Sequence, residues 1–295
     1  MCKNQWRLQF NNQRESKNMR EDLQIKINRA IQLLRDNEPK DEKGYGLAFS
    51  GGKDSIVIKQ LAIESGVKFK AFYSQTTIDP PELVQYIRKH HSDVEWLVNK
   101  KGGFFKRLIE IGHFPSRFAR WCCAEFKEQS IKNVQAKVIG VRASESLRRK
   151  KLWKERVEDM VNKGCYIICP IVEWSDDDVW DFIRERKLPY CELYDKGYTR
   201  LGCIGCPMAN IKHRWEDFER YPTFKDAYLK ASDKMWKRHH DRITRKGTLH
   251  WSSKFKSGKE WFDYWMSNKS FAEWQQETCQ MELMFTGIDE DENNK

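Results

Sequence analysis

No stretch of this sequence is apolar for more than a handful of residues, so no transmembrane helix and no membrane partner are expected. The opening Met1-Cys2-Lys3-Asn4-Gln5-Trp6-Arg7 has no apolar signal core, and a cytoplasmic protein is expected. Cysteine occurs nine times, an odd count in a long chain. A disulfide framework is therefore not expected, and metal or catalytic use of the thiols is. The phosphate-loop pattern G-x-x-x-x-G-K-[ST] is absent, and no internal repeat is visible. At 295 residues, 39% hydrophobic and with twelve Trp, the chain can bury a core and hold one large or two smaller domains. Its formal charge of +11 suits polyanionic partners such as nucleic acid or nucleotides.

The most informative stretch that is present is Ser50-Gly51-Gly52-Lys53-Asp54-Ser55. It follows the apolar run 45–49 and precedes the helix-like run 56–61. Strand, glycine turn and helix together make a phosphate site. Glycines let the backbone approach an anion, and the first helical N–H groups point at it. Ser50 and Ser55 add hydroxyls and Lys53 adds a charge. A plain Gly-Gly turn is the bland alternative; it accounts for Gly51 and Gly52 but not for the whole string. The string is similar to the pyrophosphate loop of the ATP pyrophosphatase superfamily, whose members cleave ATP between the α and β phosphates.

Helical spacing of Leu23, Ile27, Ala30, Ile31 and Leu34 predicts an N-terminal helix. Strand-like runs recur at 45–49, 67–73, 94–99, 136–141 and 165–169, with helical stretches near 55–65, 81–91, 104–112, 122–133 and 175–187. Ser175 and Asp178 form a capping-box pattern. The alternation predicts an α/β fold: a doubly wound, mostly parallel five-stranded sheet with helices on both faces, plus a helical C-terminal region. In such a sheet ligands bind at strand carboxyl ends where strand order reverses. The expected organisation is a helical segment over 1–43, a nucleotide-binding domain over 44–210 that carries the paired cysteines, a basic Trp-rich helical region over 211–288 and an acidic tail over 289–295. Residues 212–275 hold fifteen Lys or Arg against nine Asp or Glu, and six Trp. Interleaved basic and aromatic residues bind nucleic acid by phosphate contact and stacking. For most of the tryptophans, packing of a helical cap on the sheet is the reading preferred.

Four cysteines fall in two pairs, Cys122-Cys123 and Cys203-x-x-Cys206. Four thiolates suit tetrahedral zinc or an iron–sulfur cluster. Adjacent cysteines diverge, which a cubane bridges better than one ion, so [4Fe–4S] is preferred over zinc. Unligated buried thiols remain the alternative. Cys165 and Cys169 lie in a strand run and are expected in the core; Cys2, Cys191 and Cys279 have no evident partner.

Taken in order, these motifs resemble the phosphoadenosine phosphosulfate reductase family, over roughly residues 44–210. Thr76-Thr77-Ile78-Asp79-Pro80-Pro81-Glu82 is similar to the family segment after the second strand, which implies that Thr76 and Asp79 lie near the nucleotide. Gly140-Val141-Arg142-Ala143-Ser144-Glu145-Ser146-Leu147-Arg148 is similar to its G-x-R-x-x-x-S-x-x-R stretch, which implies that Arg142 and Arg148 face nucleotide or sulfonate. The segments 170–175 and 193–198 are similar to its P-I-x-x-W and L-Y-D-x-G segments. Cys122, Cys123, Cys203 and Cys206 resemble the [4Fe–4S] ligands of the adenylyl-sulfate branch. Two departures stand out. Sulfonucleotide reductases carry a nucleophilic cysteine in a late Glu-Cys-Gly-type motif, whereas the only late cysteine here is Cys279, in Glu277-Thr278-Cys279-Gln280. The S-G-G-K-D-S loop also has the full ATP-cleaving form.

Both departures resemble the relatives that activate an oxygen with ATP and replace it with sulfur, in DNA phosphorothioation and tRNA thiolation. That resemblance implies ATP with Mg²⁺ on the 50–55 loop, Lys53 and Asp54 as catalytic residues, and sulfur arriving as a desulfurase persulfide, through the cluster, or by way of Cys279 as a relay. It also implies a nucleic-acid acceptor and a cysteine desulfurase or other sulfur donor as partners. The competing expectation is reduction of phosphoadenosine phosphosulfate or adenylyl sulfate to sulfite with Cys279 as nucleophile. A non-catalytic nucleic-acid binder is the third.

Overall fold

The computed structural model describes residues 21–128 and 131–289. Residues 1–20 of the expected N-terminal segment and 290–295 of the expected acidic tail lie outside the described part. Along the chain run α1 (residues 21–36), β1 (Tyr45–Ala48), α2 (Lys53–Ser65), β2 (Phe69–Gln75), α3 (Pro81–His90), β3 (Glu95–Val98), α4 (Phe104–Ile111) and α5 (Trp121–Cys123). They are followed by β4 (Ala136–Val138), α6 (Leu147–Leu152), β5 (Arg156–Glu158), β6 (Tyr166–Ile168), α7 (Asp176–Glu185), α8 (Ile211–Arg220), α9 (Pro222–His239), α10 (Gly258–Ser267) and α11 (Phe271–Asp289). The chain divides into two compact units, Met1–Asn99 with Cys123–Leu201 and Lys100–Cys122 with Gly202–Lys295.

The first unit is built on a six-stranded sheet of order β3-β2-β1-β4-β6-β5. Five strands are the expected ones and run parallel, with Leu47 of β1 opposite Ala71 on one side and Val138 on the other. β5 is the addition to the expected five. It pairs antiparallel with β6, Val157 opposite Ile167, and forms the edge. Its three residues carry one apolar side chain between two charges, too little for an alternating pattern. Strand order reverses at β1: the chain builds outward through β2 and β3, then returns to place β4 on β1's other edge. The 50–55 loop leaves β1 at that point, where an open α/β sheet binds its ligand.

Local chemistry accounts for the helices around the sheet. Leu23, Ile27, Ala30 and Leu34 of α1 are buried on one stripe. α2 opens at Gly52 with no side-chain cap and ends at Gly66 in the left-handed region. The capping box at α7 forms as expected: Ser175 Oγ accepts from Asp178 N–H, and the Asp178 carboxylate accepts from Ser175 N–H at 2.7 Å. The helix expected over 122–133 departs from expectation. Only α5 is α-helical, and Ala124–Glu128 continue as a π-helix. Cys165 and Cys169 are buried, as expected, and burial pushes the Cys169 thiol up to about 12.

The second unit is helical and has an aromatic core. Phe104, Phe218, Tyr228, Trp261 and Phe262 are buried, Phe114 stacks on Trp265 at 4.6 Å, and Tyr228 stacks on Trp265 at 5.5 Å. Trp261 and Trp265 thus pack within this unit, while Trp215 and Trp251 are 37% and 40% exposed. Among the described residues no helix is long and apolar enough to cross a membrane.

Candidate functional site

The loop from β1 to α2 is held from several directions. Gly51 has φ +73°, and a Cβ there would lie 2.7 Å from Leu83 Cδ1 and 2.8 Å from Ile87 Cγ1, so only glycine passes over α3. Ser50 Oγ accepts from Gly52 N–H at 3.3 Å and donates to Ser55 Oγ at the same distance; Ser55 Oγ donates to the Gly52 carbonyl at 2.8 Å. At the first helical position, Lys53 N–H donates to the Tyr194 hydroxyl at 2.9 Å. A helix N-terminal N–H, the group that would meet a phosphate, therefore has a hydroxyl oxygen as acceptor.

The side chains beside the loop form a charge network. Lys53 is 4% exposed; its Nζ donates to the Thr199 carbonyl at 2.8 Å and pairs with Asp176 Oδ1 at 3.1 Å. Arg142, also 4% exposed, forks between two carboxylates. Its Nε donates to Asp54 Oδ1 at 2.6 Å, its Nη2 to Asp176 Oδ1 at 2.7 Å, and its Nη1 to Ser144 Oγ. Partial burial works against ionising Asp176, but Lys53 and Arg142 outweigh it and hold the carboxyl below the usual range. Lys53, Asp54 and Arg142 are thus brought together. Asp176, Tyr194 and Thr199 join them without having been singled out. The one sequence signal for Asp176 was the acidic run 176–178, which reads equally well as helix capping.

The remaining candidates are dispersed. Asp79 is buried and organises its own loop: its Oδ2 accepts from Tyr73 Oη at 2.7 Å and from Thr76 N–H at 3.0 Å. Between them Thr77 takes φ +67°, a strained value for a β-branched residue. Arg148 is exposed on α6, and the neighbouring Arg149 pairs with Glu145. Cys279 is an exposed thiol on α11.

In the second unit, Cys203 and Cys206 close a tight turn through Cys206 N–H to the Cys203 carbonyl at 3.2 Å. Gly205 has φ +70° and packs on the Phe218 ring, where a Cβ would lie 2.7 Å from Cζ. Its N–H donates to Asp217 Oδ2 at 3.2 Å, and Tyr228 Oη donates to the Ile204 carbonyl at 3.0 Å. Burial drives the Tyr228 hydroxyl well above its ordinary pKa, and the sulfurs of Cys203, Cys206 and Cys122 all push it the same way. Cys122, Cys203 and Cys206 belong to this unit; Cys123, next in the chain to Cys122, begins the other. Among the described residues no three His, Cys, Asp or Glu are placed to hold one metal ion. Nearby Arg214 is 3% exposed, and burial pulls its guanidinium down to about 10.

The phosphoadenosine phosphosulfate reductase domain matches residues 45–209. An uncharacterized protein of Methanocaldococcus jannaschii is 31% identical over 200 residues, covering 63% of this chain and 47% of that protein. Adenosine 5'-phosphosulfate reductase of Allochromatium vinosum is 29% identical over 182 residues, covering 55% and 67% of the two chains. The crystal structure of phosphoadenylyl-sulfate reductase from Candida auris superposes with a TM-score of 0.47 at 17% identity, over 59% of this chain and 87% of that one. The chain spans about half the length of the Methanocaldococcus jannaschii relatives it matches, 47% of one and 49% of another. With more than half of its length inside the matched domain, the chain belongs to the phosphoadenosine phosphosulfate reductase domain family.

Proposed function

We propose that this protein is an ATP-dependent sulfur-transfer enzyme that binds ATP by its phosphates on the 50–55 loop. The observation that carries this is the meeting of buried Lys53 and Arg142 at the opening of α2, where the sheet's strand order reverses. In this reading an acceptor oxygen attacks the α-phosphorus, the bond to the bridging oxygen breaks, and pyrophosphate leaves. Its charge is met by Lys53 and the α2 N–H groups. Asp54 and Asp176 hold Arg142 in place and are the carboxylates available to Mg²⁺ on the nucleotide. A donor persulfide then attacks the activated acceptor through its terminal sulfur, and AMP leaves. A thiol cleaves the S–S bond, yielding a disulfide and the thiolated acceptor. Cys279, as an exposed thiol, is the chain's own candidate relay.

Nucleic acid is the acceptor class we favour, DNA foremost. The formal charge of +11 and the exposed Trp215 and Trp251 support it. The paired thiols suit a [4Fe–4S] cluster. The donors are soft, and a cubane holds its thiolates farther apart than a single ion does. Cys122, Cys203 and Cys206 are the candidate ligands within the second unit, and Cys123 follows Cys122 in the chain. When bound, such a cluster supplies iron to which a sulfur atom can be attached.

The test is pyrophosphate release from ATP in the presence of DNA, RNA or neither, with mass spectrometry of the nucleic acid for sulfur. Nucleic-acid-stimulated release with sulfur incorporation is expected; release of no pyrophosphate under any condition would sink the reading. Sulfonucleotide reduction is the second reading, favoured by the adenosine 5'-phosphosulfate reductases among the relatives. Sulfite formation from adenylyl sulfate with thioredoxin, abolished by Cys279→Ser, would establish it instead.

A further inference from the structure

The turn between α4 and α5 lies in the second unit and carries a fully exposed phenylalanine, Phe118. A single exposed apolar side chain is ordinary on a protein surface. Phe118 differs in how it is held. Ser116 N–H donates to the Ala119 carbonyl at 3.1 Å, and Ser116 Oγ accepts from Phe118 N–H at 3.3 Å and from Ala119 N–H at 2.9 Å. Both ends of the turn are anchored in the aromatic core. Phe114 stacks on Trp265, whose Nε1 donates to the Pro115 carbonyl at 2.8 Å. Trp121 stacks on Phe104 and donates through Nε1 to the His113 carbonyl at 3.2 Å. The chain thus fixes the backbone beneath a ring that it leaves in water. The neighbours of that ring carry one sign of charge. Arg117 and Arg120 are exposed on either side of it in the chain, and residues 111–124 contain no carboxylate side chain. Arg117 Nε donates to the Pro207 carbonyl at 3.3 Å, which leaves the terminal nitrogens of its guanidinium for another acceptor.

We infer that Phe118 stacks on an unpaired base of the acceptor nucleic acid while Arg117 and Arg120 meet phosphates beside that base. The inference rests on nucleic acid being the acceptor and adds the form of that acceptor, a single-stranded or unpaired segment. An aromatic face flanked by cations fits a base flanked by phosphates, and stacking of this kind tolerates any base. Bases within a duplex are already stacked on one another, so an exposed ring separates unpaired strand from paired strand. A turn that is held before binding has little ordering entropy left to lose when the base arrives. An apolar protein face covering the ring would have to desolvate the two arginines without giving them acceptors, which disfavours that occupant.

The experiment measures binding of the full chain to a fluorescent oligothymidylate and to a fully paired duplex of equal length, by anisotropy. The proteins are wild type, Phe118→Ala, Phe118→Leu and Phe118→Trp, with circular dichroism to confirm folding. Wild type should prefer the single strand. Phe118→Ala and Phe118→Leu should weaken single-strand binding about tenfold and barely change duplex binding, while Phe118→Trp should keep it. All three should retain the salt dependence of wild type, whereas Arg117→Gln should lower the slope of log affinity against log salt by about 0.7. Ultraviolet cross-linking of the oligonucleotide to wild type, with peptide mass spectrometry, should place an adduct on Phe118. That measurement decides the matter if a variant does not fold. Phe118→Ala that binds the single strand as wild type does, or that loses single strand and duplex equally, overturns the stacking role and leaves the acceptor class standing. A wild-type dimer that Phe118→Ala dissociates, with single-strand binding unchanged, would make the ring a contact between copies and overturn it too. Wild type that binds neither nucleic acid overturns both the stacking role and the acceptor class.

Discussion

The two candidate sites treat their buried cations in opposite ways. At the 50–55 loop every buried cation has a partner inside the protein: Lys53 has Thr199 and Asp176, and Arg142 has Asp54, Asp176 and Ser144. Even the Lys53 N–H that opens α2 has the Tyr194 hydroxyl. At the cysteine turn, Arg214 is buried with two donors unmet. The first arrangement is complete within the protein. The second leaves two donors of one guanidinium without an acceptor.

The comparison breaks first if paired cations prove to be structure alone, and the first unit supplies a control. Lys137 and Asp159 are both buried and pair at 2.7 Å away from the loop. Lys137→Met strands the carboxylate and is expected to cost about 4 kcal/mol of stability by chemical denaturation. Burial pushes Asp159 up, but Lys137, Asn162 and two backbone N–H groups outweigh it and hold the group at about 2. Its stabilising contribution is therefore full above the ordinary carboxylate range and is lost as pH falls from about 4 to about 2. Lys53→Ala should show the reverse character. Pyrophosphate release should fall about 10² to 10³-fold, while stability changes by less than for Lys137→Met. A Lys53 variant that turns over normally would remove the loop from the mechanism. One that unfolds like Lys137→Met would make the pairing structural.

Much of the first region was readable from residue order because its signals are local. An apolar run, two glycines and a helical run mark β1, the loop and α2, and Ser175 with Asp178 marks the start of α7. What was not readable depends on contacts distant in sequence. Asp176 reaches Lys53 and Arg142 over 123 and 34 residues (176 − 53 and 176 − 142), and Tyr194 reaches Lys53 over 141. No periodicity reports such meetings. The π-helix at Ala124–Glu128 shifts backbone hydrogen bonds without changing the residue pattern. The segment Lys100–Cys122 joins the C-terminal helices because Phe104, Phe114 and Trp121 pack in their aromatic core, a choice made by packing and not by order along the chain.

Another buried cation, Lys59, sharpens the contrast. Lys59 Nζ donates to Asp93 at 2.7 Å and lies 3.2 Å from His91 Nδ1, while Tyr86 Oη lies 2.8 Å from His91 Nε2 and donates to the Pro189 carbonyl. Tyr86 has one proton and gives it to Pro189, so His91 Nε2 must carry a hydrogen and Nδ1 must be bare to meet Lys59. This relay works only with neutral His91. Burial first, then Lys59, brings its pKa down to about 4. As pH falls from about 6.5 to about 4 the unfolded chain takes up a proton that the folded one refuses. Stability should drop by about 3 kcal/mol across that window and then level off. His91→Phe should abolish this pH dependence. If the slope survives the substitution, another group titrates there.

The smallest expected effect tests most directly whether internal groups stand in for a ligand. Tyr194 Oη accepts from Lys53 N–H and would lie 3.4 Å from a Cβ on Gly52. A phosphate oxygen bound at the opening of α2 needs that same N–H. In Tyr194→Phe the donor has no internal acceptor, so the unliganded protein should lose about 1 kcal/mol of stability. The nucleotide should recover that loss on binding, with ATP affinity by calorimetry rising about fivefold. If Tyr194 instead keeps its place and donates to the phosphate, affinity should fall by a similar factor. The sign of the change, more than its size, therefore tells whether the hydroxyl is exchanged for the ligand or retained beside it.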